Sequence, residues 1–211
     1  MKILLTAGPT REAIDPVRYL SNRSSGRMGY ALAQEAAKRG HEVVLVSGPV
    51  HLSTPEGVTR VDVTTAEEMY QAVEANLEGV DVAIYSAAVA DYRPAEVHAQ
   101  KLKKGTAEWT LKLEKTRDIL SSMRRPLGYE GCLVGFAAET ENLIKSAHAK
   151  LESKGCDLVV ANDVSRSDIG FDQKDNEVVL LYRDGREESL AKASKDALAA
   201  MILDRINDLV S

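Results

Sequence analysis

Short apolar segments alternate with amphipathic ones along most of the 211-residue chain, and this alternation limits the possible folds more than any other feature. The apolar segments have the length and composition of buried strands, and the segments between them repeat apolar residues at helical spacing. Predicted strands span residues 2–7, 41–46, 58–63, 131–136 and 156–161, and another begins at residue 80 and runs into a loop by residue 91. Because helices separate these strands, we predict an α/β fold with a mostly parallel sheet and right-handed crossovers.

Capping residues mark the expected helix boundaries. Ser24 or Ser25 is expected to cap the first helix, and Gly40 to end it after two basic residues. Thr65 is the expected cap of the second helix, whose first turn carries two glutamates, as the helix dipole favours. Predicted helices span residues 26–39, 66–77, 117–124, 139–153 and 194–210.

Two segments depart from the alternation. Residues 101–115 alternate loosely and predict a small strand or hairpin. Residues 177–182 and 187–190 flank Arg183-Asp184-Gly185, which is a hairpin turn signal. We therefore expect a small β extension beside the main sheet, and the chain length suits a single domain over residues 1–211.

Composition excludes several classes of function. The net charge of -5 argues against non-specific binding to nucleic acid, although it allows a local basic pocket. No apolar run reaches the ~20 residues of a membrane span, and no signal-peptide pattern is present, so no membrane association is expected. Cys132 and Cys156 lie in or beside apolar strands and are expected to be buried, reduced thiols of a cytoplasmic protein, with a disulfide as the alternative. The four histidines lack metal-ligand spacing, which makes a zinc site unlikely.

Residues 18–29 join the first strand to the first helix and hold unusually dense polar chemistry. Such a junction attracts anions, because free N–H groups and the positive end of the helix dipole meet there. Ser24, Ser25 and Gly26 supply the donors that a phosphate site requires, although helix capping alone explains them equally well. Gly8 opens a turn at the carboxyl end of the first strand, where ligands of open α/β sheets bind.

Asn22 and Arg18 make this loop particular. The Asn22 carboxamide is able to donate to and accept from a reacting acyl group, and its alternative role is that of a turn residue. Arg18 is able to pair with a carboxylate or phosphate, and its alternative role is surface solvation.

Further candidates follow later strands. Ala87 belongs to a run of small residues that lets a flat ring approach the backbone, and Asp91 then presents a carboxylate for Mg²⁺ on a triphosphate or for a ribose hydroxyl. A plain turn is the alternative for Asp91. Phe136 ends another strand and could stack on a base, although a core position is the safer explanation.

Two groups of lysines suggest an anionic ligand. Lys101, Lys103 and Lys104 lie within four positions and could neutralise a triphosphate or stabilise leaving pyrophosphate, with a solvated charge run as the alternative. Lys150 and Lys154 are four residues apart on a predicted helix and therefore share a face.

These stretches resemble phosphopantothenoylcysteine synthetase, the CTP-dependent ligase domain of bacterial coenzyme A biosynthesis. The resemblance implies a Rossmann-like three-layer fold, a homodimer, and a reaction in two steps. In the first, the carboxylate of 4′-phosphopantothenate attacks the α-phosphate of CTP, with Mg²⁺ accompanying the nucleotide, and gives an acyl-cytidylate and pyrophosphate. In the second, the amine of L-cysteine displaces CMP and forms an amide. The resemblance is carried by residues 8–10, 18–29, 87–92, 101–104, 135–140 and 161–163.

The resemblance also implies roles for particular residues. Lys101 matches the lysine tied to formation of the acyl-cytidylate, Asn22 matches the asparagine tied to its conversion, and Arg18 lies on the same loop. Bacterial members are usually fused to a flavin-dependent decarboxylase, so such a domain is expected as a fusion or partner. The positions that match CTP-binding residues are Ala87, Asp91, Phe136, Lys150 and Lys154.

One departure bears on the site. The family commonly has a proline between Asn or Thr and Asp before the short helix, whereas this chain has Thr116-Arg117-Asp118. The loss of the first-turn proline weakens the expectation that Asp118 contacts the nucleotide.

Two alternative functions follow from the fold class. A nicotinamide-dependent oxidoreductase would need the G-x-G-x-x-G pattern after the first strand and an acidic residue at the end of the second. Neither is present, since the second strand ends in Ser47-Gly48-Pro49. A nucleotide-sensing module without catalysis would bind CTP without turnover.

Overall fold

The computed structural model describes residues 1–103, 105, 108–139, 141–163 and 175–210, and it contains twelve strands and five helices within them. In chain order the elements are β1 (Lys2–Ala7), β2 (Arg11–Ala13), β3 (Tyr19–Ser21), α1 (Arg27–Lys38), β4 (Glu42–Ser47), β5 (Val58–Asp62), α2 (Ala66–Ala75), β6 (Val82–Tyr85), β7 (Tyr92–Pro94), β8 (Leu113–Lys115), α3 (Ile119–Arg124), β9 (Cys132–Glu139), α4 (Leu143–Lys154), β10 (Leu158–Asp163), β11 (Asp175–Tyr182), β12 (Glu187–Ser194) and α5 (Lys195–Val210).

Eight of these strands form the central sheet, in the order β12-β11-β10-β9-β6-β1-β4-β5. The six strands from β10 to β5 pair in parallel, and β11 and β12 add antiparallel pairs at one edge. The chain builds outward from β1 to β4 and β5, then crosses to the other side of β1 to form β6. The gap between β1 and β6 is therefore a topological switch point, at whose carboxyl edge ligands bind in open α/β sheets.

Helices cover both faces of the sheet and make three layers. On one face, α1 and α5 pack against the sheet through buried residues such as Leu32 and Ile202. On the other, α2, α3 and α4 pack through Met69, Met123 and Leu151. The sheet residues between them, such as Leu5 and Ile84, are fully buried, as the apolar strand segments predicted. The predicted Rossmann-like α/β fold is thereby confirmed.

Two boundary predictions were right for the expected reason. Thr65 caps α2, and its hydroxyl accepts a hydrogen bond from the Glu68 N–H at 3.1 Å. Arg183-Asp184-Gly185 forms the turn between β11 and β12, with Gly185 at φ 89.

Two other boundary predictions were wrong. Gly26, not Ser24 or Ser25, is the N-cap of α1, in a left-handed conformation and without a side-chain cap. The predicted helix over 139–153 begins only at Leu143, because β9 pairs with β10 as far as Glu139. The pairing with β10 extends β9 past its apolar part, and the local sequence of this segment does not report which strand it pairs with.

The small β extension exists but is built differently from the prediction. Two ribbons form it: β2 pairs with β3, and β7 pairs with β8. Of the β2–β3 ribbon, β3 lies inside residues 18–29, the stretch that the sequence suggested was a loop. Residues 95–112 connect β7 to β8, and of the predicted lysine cluster Lys104 lies outside the described residues, as does Thr140 of the family motif.

Both cysteines are buried and free, as predicted. Across the described residues, no helix has the length and apolar character needed to cross a membrane.

Candidate active site

Glycines let the start of α1 approach the ends of β1 and β4. A Cβ on Gly29 would lie 2.5 Å from both the Ala7 Cβ and the Ser86 Oγ. Gly26 adopts φ 74 and lies against the backbone of Gly8, which itself adopts φ 76. A Cβ on Gly48 would lie 1.8 Å from the Pro9 oxygen. Side chains at Gly26 and Gly29 would push the helix away from the sheet, and one at Gly48 would push apart the turns after β1 and β4. Both close approaches therefore depend on glycine.

The start of α1 leaves backbone donors open. The Gly26 carbonyl accepts the first helical bond from the Tyr30 N–H at 3.1 Å, and the Gly26 N–H lies 3.4 Å from the Ser24 Oγ. Among the described residues, no acceptor reaches the N–H groups of Arg27, Met28 and Gly29. Unpaired N–H groups at a helix start, with the positive end of the dipole, form an anion site.

The loop after β6 is held beside this helix start. The Ala88 N–H donates to the Gly8 oxygen at 2.9 Å, and the Ala90 N–H donates to the Thr10 Oγ1 at 3.0 Å. The Asn22 Nδ2 donates to the oxygens of Ala88 and Val89, at 3.2 and 3.0 Å. Both amide hydrogens of Asn22 therefore hold the loop, and no described donor reaches its Oδ1. Of the two capacities expected of the Asn22 carboxamide, to donate and to accept, only the acceptor is therefore open.

The opposite wall comes from α3 and α4. Asp118 caps α3, since its Oδ1 accepts from the Ser121 N–H at 2.9 Å, and its Oδ2 accepts from the Lys154 Nζ at 2.6 Å. Burial opposes the charged form of Asp118, but the hydrogen bonds from Lys154 and Ser121 outweigh it and lower the pKa of this carboxyl. The Lys150 Nζ donates to the Phe136 oxygen at 2.7 Å, which places this lysine beside the end of β9.

Arg117, which replaces the family proline, does not remove Asp118 from this wall. Its guanidinium lies 4.0 Å from the centre of the Tyr70 ring and 3.7 Å from the Glu67 Oε1 on α2. Asp118 therefore keeps its capping position without a proline before it.

These walls enclose a cavity of about 960 Å³ at the carboxyl edge of the sheet, across the β1–β6 switch point. Among the described residues, seven basic and two acidic side chains line it, an excess of positive charge in a chain whose net charge is -5. The basic residues are Arg23, Arg27, Lys115, Arg117, Lys150, Lys154 and Lys195, and the acidic ones are Asp91 and Asp118. A polyanion is the ligand that this charge distribution favours.

A family profile described as the DNA/pantothenate metabolism flavoprotein C-terminal domain matches residues 1–209. The chain belongs to this family. It is 50% identical, over 99% of its length, to the coenzyme A biosynthesis bifunctional protein CoaBC of Vibrio parahaemolyticus. It spans about half of that relative, since the match covers 52% of it.

Solved structures show the same relationship for this pantothenate-metabolism domain. It matches a crystal structure of the C-terminal domain of CoaBC with a TM-score of 0.84 and 42% identity, over 99% of this chain and 95% of the other. It also shares its fold with Cab2 in complex with phosphopantothenate-cysteine, at a TM-score of 0.81 and 16% identity, over 99% of this chain and 86% of that one.

Most of the residues predicted for the site of this pantothenate-metabolism domain line one cavity, although they come from five separate parts of the sequence. They are Asn22, Ser24, Ser25, Gly26, Ala87, Asp91, Asp118, Phe136, Lys150 and Lys154. Three others do not line it: Gly8, Arg18 and Lys101.

Each of the three has a different place. Gly8 lies under the start of α1, where it permits the close backbone approach. The Arg18 guanidinium is bound to Asp15 through its Nε at 3.0 Å and its Nη2 at 2.5 Å, and lies 4.9 Å from the centre of the Trp109 ring. Lys101 is exposed in the segment between β7 and β8. The structure thus separates Arg18 and Lys101 from the cavity of their own chain.

Buried polar residues complete the cavity. Asn162, Asn176 and Lys195 are 8%, 5% and 7% exposed, and all three line it near the start of α5. No described hydrogen-bond partner reaches the Asn162 side chain, so its carboxamide is open to a ligand or water. Asn162 belongs to the 161–163 motif that carries the resemblance, whereas the sequence did not single out Asn176 and Lys195, because no local pattern reports their burial.

The charged groups suit a metal ion that arrives with a ligand. Asp91 is exposed in the cavity, and the described residues hold no cluster of three metal-ligating side chains. Mg²⁺ is commonly bound through one or two carboxylates together with substrate phosphates. Asp91 fits that arrangement and does not fit a resident, all-protein metal site.

Proposed function

We propose that this chain is a CTP-dependent ligase that joins 4′-phosphopantothenate and L-cysteine into 4′-phosphopantothenoylcysteine. The observation that carries the proposal is the excess of basic residues around the 960 Å³ cavity, because it matches a reaction between a nucleoside triphosphate and a phosphorylated acid. The names of the relatives support a place in coenzyme A biosynthesis. The fold neighbour in complex with phosphopantothenate-cysteine supports the acyl substrate.

The first step activates the carboxylate. A carboxylate oxygen of 4′-phosphopantothenate attacks the α-phosphorus of CTP, the α–β phosphoanhydride bond breaks, and pyrophosphate leaves. We assign phosphate binding to the open N–H groups of α1 together with Lys150 and Lys154, and contact with the base to Phe136 and Ala87. Lys101 is the cation assigned to the developing negative charge. If Mg²⁺ accompanies CTP, Asp91 would hold it, and the ion would neutralise charge on the phosphates.

The second step forms the amide. The nitrogen of L-cysteine attacks the acyl carbon, the bond to CMP breaks, and the amine gives up a proton. Asn22 lines the cavity, its Nδ2 holds the loop after β6, and its Oδ1 has no described donor. We assign to this oxygen the role of accepting a hydrogen bond from the attacking amine, which fixes the direction of its lone pair.

The assembly we propose is a homodimer in the cytoplasm, fused to or partnered with a flavin-dependent decarboxylase. Large apolar side chains are exposed on the two small ribbons and the segment between β7 and β8, and a second copy would cover them. A dimer would also explain why Arg18 and Lys101 lie outside their own chain's cavity. The exposed residues are Val17, Tyr19, Tyr92, Val97, Trp109 and Leu113.

Pyrophosphate release tests the activity. We expect release from wild-type protein only when CTP, Mg²⁺ and 4′-phosphopantothenate are all present, and less with ATP. Lys101→Gln should lower the rate by about 10²–10³-fold, the range seen when one charge-stabilising donor is removed. Lys112→Gln, at an exposed lysine of the same segment, is the matched control and should release pyrophosphate at the wild-type rate.

Asn22→Asp separates the two steps. It should release pyrophosphate while the acyl-cytidylate accumulates, because an added negative charge at this position binds the amine in its unreactive ammonium form. CTP binding without turnover would favour the sensing module, and binding of a nicotinamide cofactor without pyrophosphate release would favour the oxidoreductase. Either result would overturn the ligase.

A further inference from the structure

The segment that carries Lys101 has few fixed points. Residues 95–112 leave β7 and return at β8, and the described part of them contains no helix or strand. Contacts with the turn between β2 and β3 hold this segment. The His98 N–H donates to the Ile14 oxygen at 3.0 Å, and the Leu102 N–H donates to the Asp15 Oδ2 at 3.1 Å.

Asp15 is the centre of these contacts. Its side chain is 0% exposed, and its Oδ1 accepts from the N–H groups of Val17 and Arg18 at 2.9 Å each. Its Oδ2 accepts from the Arg18 guanidinium and from Leu102. The Arg18 Nη2 also donates to the Leu102 oxygen at 3.1 Å. Both polar groups of residue 102 are therefore held, one by the carboxylate and one by the guanidinium.

A carboxylate that only stabilised its own turn would not need Leu102. The amides of Val17 and Arg18 and the Arg18 guanidinium already satisfy it, yet it also binds a residue 87 positions later in the chain. Arg18, through its hydrogen bond, and the backbone N–H groups hold the pKa of the Asp15 carboxyl well below its usual range. These hydrogen bonds therefore favour the charged form of the Asp15 carboxyl.

We propose that Asp15 is a positioning residue for the carboxylate-activating step: through Arg18 and Leu102 it sets where the adjacent Lys101 stands. This inference rests on the proposed function, which gives Lys101 its role. Fixing both polar groups of residue 102 fixes the backbone from which Lys101 projects, whereas the lysine side chain itself is flexible. Misplacement of a reacting group by about 1 Å can lower a rate by about 10²-fold.

Asp15→Asn tests the proposal, because it removes the charge that holds Arg18 while it keeps the size of the side chain. In single-turnover experiments we expect pyrophosphate release to slow by about 10–100-fold. CMP should follow without accumulation of acyl-cytidylate, and the KM for CTP should change by less than about threefold, since the nucleotide contacts are untouched. Hydrogen exchange at the Leu102 amide should become faster.

Asp157→Asn is the matched control. Asp157 also binds an arginine and a distant backbone amide, since its Oδ2 accepts from the Arg124 Nη2 at 2.7 Å and the Leu133 N–H at 2.8 Å, but it lies at the opposite edge of the sheet. It should lower thermal stability without slowing pyrophosphate release by the folded protein. An equal slowing in both variants would reduce Asp15 to a structural role and overturn the proposal.

A second pair of variants decides the matter if Asp15→Asn does not fold. Leu102→Pro removes the N–H that Asp15 accepts, whereas Leu102→Ala keeps it. Slow pyrophosphate release in the first and not in the second supports the clamp, and equal rates overturn it. If wild-type protein releases no pyrophosphate with CTP, the proposed function fails. The Leu102 exchange rate in Asp15→Asn then still reports whether the clamp holds the segment.

Discussion

At the carboxyl edge of the sheet, seven basic and two acidic side chains of the described residues line a cavity of about 960 Å³. At the amino edge, one basic and four acidic side chains of the same part of the chain line a cavity of about 840 Å³. The amino-edge cavity includes Asp81, Glu130, Asp157, Asp184 and Arg183. The same sheet thus ends in cavities of similar size and opposite charge. Within the described residues, the carboxyl edge alone combines cations with open backbone donors and a carboxamide without a partner, which is why we propose the ligand site there.

Both edges contain an aspartate that binds an arginine and a backbone N–H group, but the two aspartates hold different kinds of segment. At the amino edge, Asp157 joins Arg124 to the start of β9 and so ties an element to the core. At the carboxyl edge, Asp15 joins Arg18 to a segment that has no regular structure in its described part. A carboxylate–arginine pair therefore indicates neither a stabilising nor a functional role by itself. Its role depends on the segment that the pair holds.

Among the substitutions that compare the two edges, alanine in place of a glycine is expected to have the largest effect on activity and stability. A Cβ on Gly29 would lie 2.5 Å from Ala7 and Ser86 beside the ligand cavity, and a Cβ on Gly131 would lie 2.5 Å from the Tyr129 hydroxyl oxygen at the amino edge. Each alanine variant should lose about 1–3 kcal/mol of stability by overpacking. Only Gly29→Ala should also lose pyrophosphate release, by about 100-fold, because it moves the N–H groups of α1.

Urea unfolding and the activity of the folded fraction separate the two contributions. Equal activity losses in Gly29→Ala and Gly131→Ala would contradict the proposal that the ligand binds at the carboxyl edge and not at the amino edge.

A smaller effect is expected from removing one cation at each edge. Lys154→Met removes a cation that we assign to the nucleotide and leaves Asp118 without its partner in the cavity. A hydrogen bond to a charged group contributes about 1.5–3 kcal/mol. CTP affinity should therefore fall by about 10–100-fold in titration calorimetry. Arg183→Met removes a cation whose side chain is 56% exposed, so its ion pair should contribute about 1 kcal/mol or less to stability and nothing to CTP affinity.

Unchanged CTP affinity in Lys154→Met would remove the α4 wall from the nucleotide site. Weaker CTP binding in Arg183→Met would instead point to long-range electrostatics.

The smallest effect concerns pH and the thiols of the amino edge. Burial raises the pKa of Cys132 to about 12 and that of Cys156 to about 11. An unfolded thiol ionises above about 8.5, so between there and the folded pKa the native state binds more protons and stability falls as pH rises. Cys132→Ala should therefore remove about 1 kcal/mol of the stability loss between pH 7.5 and 9.5.

Urea unfolding of wild-type and Cys132→Ala protein at the two pH values measures this difference. The range stops below the ordinary tyrosine pKa, because burial also raises the pKa of Tyr129. If both proteins lost stability equally, the Cys132 thiol would not be the group that titrates.

Sequence patterns predicted most of the fold because each pattern depends on local physics. The apolar runs of β1 and β4 are buried on both faces of a parallel sheet, so they read as strands without any knowledge of their neighbours. The cap at Thr65 and the turn at Gly185 depend on a few adjacent residues. Where the predictions failed, at the start of α4 and in the β2–β3 ribbon, the deciding hydrogen bonds come from another strand.

The sequence by itself determined which chemical groups this protein carries: the polar residues before α1, the lysines of α4 and the resemblance in which they take part. The tertiary structure decided which of these residues meet. Ten of the predicted site residues line one cavity. The Asn22 Nδ2 donates to the loop after β6, and the Arg18 guanidinium pairs with Asp15. The reason is physical: residue type and spacing report what a side chain can do, but its partners are set by contacts between segments that lie far apart in the chain.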